Sequence, residues 1–305
     1  MSNINHFKTI SAFHRFVGLP APQHPLISVV DVATVPHRYG VEPTHLVFDF
    51  YSISLKRMDN VKIKYGQQPF DFNEGIMSFM SPGQVFSMAV ADDNEEVKKS
   101  GWVIYIHPDF LWNTALGKTI KQYDFWGYSL HESLFLSEKE EAVINNIILN
   151  IQQEYQANID KFSKQIIISQ IETLLSYSER FYNRQFITRE KANHQLLERL
   201  ESLLDAYFDS DDLVTRGLPT VQYVAEQLNL SPKYVSNLLR VLTGQNTQQH
   251  IHDKLIEKAK EKLSTSHLSV SEIAYALGFE HPQSFSKLFK AKTSLSPLAF
   301  RQSFQ

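Results

Sequence analysis

The stretch LGFEHPQSFSKLFKAKTSLSPLAFR, from Leu277 to Arg301, follows the apolar outline of LNLSPKYVSNLLRVLTGQNTQQHI, from Leu228 to Ile251. The match starts upstream of each quotation. Ile273, Ala274 and Leu277 repeat Val224, Ala225 and Leu228. Gly278 takes the place of Asn229, His281-Pro282 that of Ser231-Pro232, and Phe285 and Phe289 those of Val235 and Leu239. The offset is 49 residues before the turn and 50 after it, so the second copy has one extra turn residue. So many matches at a nearly fixed offset mark a duplicated unit.

Each copy predicts a helix, a tight turn and a second helix. Thr220 suits a cap, with Val221, Val224, Ala225 and Leu228 on one face. Asn229 and Gly278 tolerate the positive φ that the turn needs. Proline opens each second helix, where no backbone donor is missed. The first of these carries Val235, Leu238 and Leu239 inward and ends near Gly244. In the second copy Ser269 and Glu272 form a capping box. The echo continues, because TGQNTQQHI answers TSLSPLAFR; Asn246 and Ser296 are the expected caps of equivalent closing helices. Between the copies HDKLIEKAKEKLS, His252 to Ser264, places Leu255, Ile256, Ala259 and Leu263 on one face. It reads as an amphipathic linker helix about 24 Å long at ~1.5 Å per residue. Reading helices on one face of B-DNA lie about 34 Å apart, and a stiff rod can hold such a spacing within one chain.

The rest of the chain has a different texture. Its 305 residues suggest two domains, and 43% hydrophobic content provides for real cores. Zero cysteines exclude disulfides, thiolate zinc sites and a cysteine nucleophile. No secretory signal is legible, and no apolar run approaches the ~18 residues of a membrane span. From Thr215 onward there are 11 Lys and Arg against 6 Asp and Glu, a charge of +5, which leaves −8 for residues 1–214. That asymmetry suggests an acidic partner for the C-terminal part. LISVVDVAT, HLVFDFYSIS, GIMSFM, QVFSMAV and GWVIYI read as short strands. The turn-rich PHRYGVEP, YGQQPFDFNEG, SPG and ADDNEEVKKSG separate them, a pattern for an antiparallel sandwich or barrel. Phe48, Phe50, Phe79 and Phe86 are expected core. After HPDFLW the period becomes helical. Ser137 and Glu140 form a capping box. The next helix, Asp160 to Tyr182, carries a largely apolar stripe of Ile166, Ile167, Gln170, Ile171, Leu174 and Leu175. A third helix ends in the acidic break Asp209–Asp212, the expected flexible point near the domain boundary.

Residues from about 190 to 305 resemble the DNA-binding domain of the AraC/XylS family of bacterial transcription regulators. The Ala225–Leu239 unit, the linker helix and above all IAYALGFEHPQSFSKLFKAKTSLSPLAFR carry the resemblance. Two positions depart from the family pattern. Ser294 stands where glycine is usual, and Asn237 where a basic residue is common. The N-terminal part resembles the family's effector domain. The resemblance implies an α+β chain. Residues 1–187 would form a cupin-like antiparallel β-barrel with helices from about 137, for effector binding and dimerisation. Residues 188–305 would form an all-α DNA-binding domain, with helix-turn-helix units at about 220–244 and 269–292 joined by the linker helix. It implies double-stranded promoter or operator DNA, an unidentified small-molecule effector, a second copy of the chain and RNA polymerase as partners. It implies no enzyme activity, no cofactor and no membrane, in a bacterial cytoplasm.

Exposed positions at the start of the two reading helices are Ser231, Lys233, Tyr234, Ser236 and Asn237, and His281, Gln283, Ser284, Ser286 and Lys287. Asn and Gln pair with adenine and Lys donates to guanine. Carried onto the family pattern, Lys233, Ser236, Asn237, Gln283 and Lys287 are the expected base contacts. Ser231, Arg240, His281, Lys290, Lys292 and Arg301 are the expected backbone contacts, with the helix N-termini. The stripe from Ile166 to Leu175 either packs on the barrel or pairs with the same helix of a second copy; the resemblance implies the pairing, with Ile167, Ile171 and Leu174 as the dimer face. Cupin metal sites use a His-x-His pair. The N-terminal half has His37, His45 and His107 but no such pair; His250-Ile251-His252 is the one in the chain, and i and i+2 on a helix diverge. No metal is expected. Trp102, Tyr105 and His107 are candidates to line a ligand pocket. Two rival readings remain: an effector-independent DNA-binding dimer, and a cupin-type metal enzyme fused to a DNA-binding domain. DNA-repair alkyltransferases with a related domain need a reactive cysteine, which this chain lacks.

Overall fold

The structure, a computed structural model, describes residues 4–35, 44–58, 64–65, 68–69, 75–88, 99–157 and 160–303. His37 and the turn segment 36–43 lie outside the described residues, as does most of the other two long turn segments. The chain divides into two compact units, Met1–Gln185 and Phe186–Gln305. The expected boundary lay two residues later.

Unit 1 begins with β1 (Ile4–Phe7), α1 (Ile10–Val17), β2 (Ile27–Asp31), β3 (Thr44–Phe48), β4 (Tyr51–Met58), β5 (Lys64–Tyr65) and β6 (Gln68–Pro69). It continues with β7 (Ile76–Met80), β8 (Val85–Met88), β9 (Lys99–Ile106), α2 (Ala115–Thr119), β10 (Leu134–Phe135), α3 (Glu138–Gln156) and α4 (Ser163–Thr188), whose last turn passes into unit 2. The strands form a three-stranded sheet β1-β3-β8, a five-stranded sheet β10-β7-β4-β9-β2 and the hairpin β5-β6. The expected cupin-like antiparallel barrel is present as a β-rich unit of separate sheets among the described residues. Among the described residues no ladder joins the two larger sheets, and β1 runs parallel to β3. A barrel needs every strand paired on both sides. Here β10 is two residues long and, among the described residues, pairs with β7 alone.

Alternation along β4 and β9 sorts two cores. Tyr51, Ile53 and Leu55 share a face with Ile104, Ile106, Met77 and Phe79. There Tyr51 meets Trp126 with ring centroids 4.8 Å apart, and Phe79 meets Phe125 at 4.4 Å. The other face carries Val103 and Tyr105 into a cluster with Phe13, Phe48 and Phe50. α1, which the strand pattern did not predict, closes this cluster. Thr9 caps it, Gly18 ends it at φ 78°, and Ile10, Phe13, His14 and Val17 are buried. His14 Nδ1 donates to the Pro20 carbonyl at 2.7 Å, which leaves Nε2 to accept from the Ser28 hydroxyl at 3.1 Å.

The capping box at Ser137 and Glu140 is formed as expected. Arg184 of α4 holds Glu140 at 2.7 Å and donates to the Phe135 carbonyl at 2.6 Å. Ile167, Ile171 and Leu174, the residues of the expected dimer face, are buried within their own chain. The exposed apolar residues at the start of α4 are Phe162, just before it, and Ile166.

Unit 2 holds α5 (Glu190–Phe208), α6 (Asp212–Arg216), α7 (Val221–Leu228), α8 (Pro232–Thr243), α9 (Thr247–Thr265), α10 (Val270–Ala276), α11 (Pro282–Thr293) and α12 (Pro297–Gln302). One core unites them. Leu200 and Leu204 of α5, Ile251, Leu255 and Leu263 of α9, and the paired Val235 and Phe285, Leu239 and Phe289 all belong to it. Two expectations change. Asp209–Asp212 does not mark the boundary between the units: Asp209 ends α5, accepts from Lys258 Nζ at 2.6 Å, and lies well inside unit 2. The closing helix of the first copy and the linker helix are one element: Asn246 caps α9, which runs 19 residues, about 28 Å at ~1.5 Å per residue. Among the described residues no helix is long and apolar enough to cross a membrane.

Candidate nucleic-acid interface

The two units are built by matching local rules. Thr220 Oγ1 accepts from the Tyr223 amide to start α7, and Ser269 and Glu272 form the capping box of α10. Asn229 at φ 56° and Gly278 at φ 78° make the left-handed turn residues. Gly278 has a second reason to be glycine. A Cβ there would lie 2.5 Å from the Leu213 carbonyl oxygen, so α6 packs directly on this turn. Gly244 and Ser294 end the two reading helices at φ 77° and 64°.

α8 and α11 then differ. On α8, Lys233 is exposed as expected. The hydroxyl of Ser231 is spent on the cap, accepting from the Tyr234 amide, and the residue is buried. Ser236 bonds Thr247 of α9 at 2.9 Å, and Arg240 Nη1 donates to Asn237 Oδ1 at 3.0 Å. Tyr234 was expected on the open face; it is 4% exposed, with its ring edge-on to Phe186 at 5.1 Å. Asn193 Nδ2 donates to the Phe186 carbonyl and holds that residue in place.

On α11 the offered groups are open. His281, Gln283, Ser284, Lys287 and Lys290 are exposed. The side chains of Gln283, Lys287 and Lys290 make no hydrogen bond or ion pair among the described residues. Two expected backbone contacts are otherwise engaged. Lys292 Nζ lies 2.8 Å from Asp253 of α9. Arg301 Nε donates to the Leu263 carbonyl at 3.2 Å, and its Nη2 is buried without a partner. Arg301 therefore caps the end of α9.

In unit 1 the three candidate pocket residues do not converge. Trp102 and Tyr105 lie on opposite faces of β9, and His107 accepts from the Asp109 amide to cap a turn. A groove of about 420 Å3 instead opens between the sheet and α3, lined by Leu55, Arg57, Trp102, Glu138, Glu141 and Asn145. Arg57 meets Glu141 through two 2.7 Å hydrogen bonds there. Among the described residues no three His, Asp or Glu side chains gather as metal ligands. His250 bonds Thr243 and His252 bonds Gln248. Sequence reasoning did not find the groove, Phe186 or Asp253. Strand alternation put Arg57 and Trp102 on one face; nothing local marked the other two.

Comparison with known proteins adds the following. Residues 224–303 match the family described as Helix-turn-helix domain. The HTH-type transcriptional activator RhaS of Escherichia coli O139:H28 is 37% identical over 79 residues, 26% of this chain and 28% of that protein. The raffinose operon transcriptional regulatory protein RafR of Pediococcus pentosaceus is 34% identical over 84 residues, 28% of this chain and 30% of that one. The chain spans less than half the length of the first curated relatives it matches. Among solved structures, the C-terminal domain of the response regulator yesN from Fusobacterium nucleatum is 30% identical, over 36% of this chain and 98% of that one, with a TM-score of 0.30. The DNA-binding domain of AdpA in complex with a target DNA is 25% identical, with a TM-score of 0.31.

Proposed function

We infer that this chain, which by its C-terminal unit belongs to the AraC/XylS family of transcription regulators, is a sequence-specific DNA-binding regulator. The observation that carries the reading is the paired helix-turn-helix, with Gln283 and Lys287 open at the start of α11. In this reading α8 and α11 enter successive major grooves. Gln283 pairs with adenine and Lys287 donates to guanine, with Lys233, Ser236 and Asn237 on the other helix. His281, Lys290, Arg240, the Ser231 backbone and the helix N-termini meet phosphates and set the register. Lys292 joins them only on leaving Asp253. Footprinting on the promoter beside its own gene, with selection from random DNA at moderate salt, tests this. Failure to bind any selected sequence would sink it.

The N-terminal unit is the sensor in this reading. The groove beside α3 has the size of a small-molecule site and an indole wall. A ligand there would change how two DNA-binding units are presented, with RNA polymerase as the downstream partner. Pairing with a second copy would use residues other than the buried stripe; Phe162 and Ile166 are the exposed apolar pair beside it. A thermal-shift screen separates an effector-responsive regulator from an effector-independent one, because a ligand of the folded state raises Tm. Trp102→Ala should abolish that shift.

A further inference from the structure

Asp253, in the first half of α9, touches the segment that follows α8 and the last turn of α11. Its Oδ2 accepts from Gln245 Nε2 at 2.7 Å, one residue past the C-cap of α8. Its Oδ1 accepts from Lys292 Nζ at 2.8 Å, in the last turn of α11. One carboxylate thus spends one oxygen on the segment that leaves α8 and the other on α11. Burial pushes its pKa up, but the hydrogen bonds from Lys292 and Gln245 outweigh this and hold it below the usual carboxylate range. The other ion pairs of α9 do something else. Lys254 and Lys258 reach Asp205 and Asp209 of α5 and touch neither reading helix. The apolar core holds α8, α9 and α11 together, but hydrophobic contact is non-directional. Charge-assisted hydrogen bonds are directional and can fix what apolar packing leaves free to slide.

We propose that Asp253 is the positioning residue that sets the separation of α8 and α11, and through it the base-pair spacing between the two sequence elements the chain accepts. The proposal rests on the reading of α8 and α11 as the DNA-reading helices.

The test uses the full chain. Selection from random DNA defines the wild-type site, and copies of that site are made with one base pair added or removed between its two elements. For wild type, each change should weaken binding at least about tenfold, the scale of a mismatched base pair. Asp253→Ala should cut that penalty to about threefold, with affinity for the original site reduced less than the penalty changes. Lys292→Gln breaks the same bridge from an exposed residue and should act alike, which covers a failure of the first variant to fold. Asp253→Lys combined with Lys292→Asp restores opposite charges; the Gln245 amide can then present its oxygen, and the wild-type spacing preference should return. Unchanged penalties in folded Asp253→Ala and Lys292→Gln overturn the proposal while the DNA-reading assignment stands. A wild-type site without two separable elements overturns both.

Discussion

Ser294 shows what one backbone angle costs. It ends α11 at φ 64°, where its counterpart Gly244 ends α8 at φ 77°. A left-handed L-residue carries strain that glycine does not. Ser294→Gly should raise stability by about 0.5–1 kcal/mol, seen as a higher urea midpoint at unchanged m. Gly278→Ala should do the reverse and more, about 2–4 kcal/mol, since it adds a Cβ 2.5 Å from the Leu213 carbonyl to the same strain. His14 gives a residue-scale pH dependence. Burial lowers its pKa, and the Pro20 carbonyl offsets only part of that. The unfolded chain then takes the proton first. The stabilisation is complete above the ordinary histidine value of about 6.5 and is lost as pH falls below it. Tm of the wild type should drop between pH 7 and pH 5, and His14→Gln should flatten that part of the curve.

At the scale of elements, two helices with one pattern have acquired different duties. α11 leaves Gln283 and Lys287 open, whereas α8 ties Ser236 to α9 and covers Tyr234 with Phe186. Base discrimination should therefore rest more on α11. Gln283→Ala should cost about 1–3 kcal/mol on the selected site and relax preference at one position, read by repeating the selection. α12 is anchored through Arg301 to the end of α9, so Arg301→Met should lower stability and leave the salt dependence of DNA binding unchanged. Lys290→Ala should do the opposite. Its log Kd against log salt should be shallower by about 0.9, the loss of one phosphate contact, with melting unaffected.

For the whole molecule, charge follows the division of labour. The stretch from Thr215 is +5 and the remainder −8. Yet several of those cations are neutralised at home, Lys254 and Lys258 by α5 and Lys292 by Asp253. The cations left for DNA are fewer than the count suggests. The measured salt slope should accordingly fall below the value expected if all 11 bound phosphate.

What the sequence by itself determined was local. Caps at Thr220, Ser231, Ser269 and Ser296, left-handed turns at Asn229 and Gly278, and the apolar pairs Val235 with Phe285 and Leu239 with Phe289 depend on neighbours within a turn or two. The duplicated unit was legible for that reason. So were β2, β4, β7, β8 and β9, because alternation is a property of the strand alone, whereas the short β5 and β6 fall at a stretch read as a turn. Tertiary structure decided everything that depends on which surface meets which. The stripe of Ile167, Ile171 and Leu174 reads the same whether it faces a second chain or its own core, and only packing chose the core. Lys292 and Arg301 are cations in either environment, and an aspartate 39 residues away and a helix end 38 residues away engage them within the chain. Sheet closure is likewise a long-range choice, and no pattern within β1 predicts that it lies parallel beside β3.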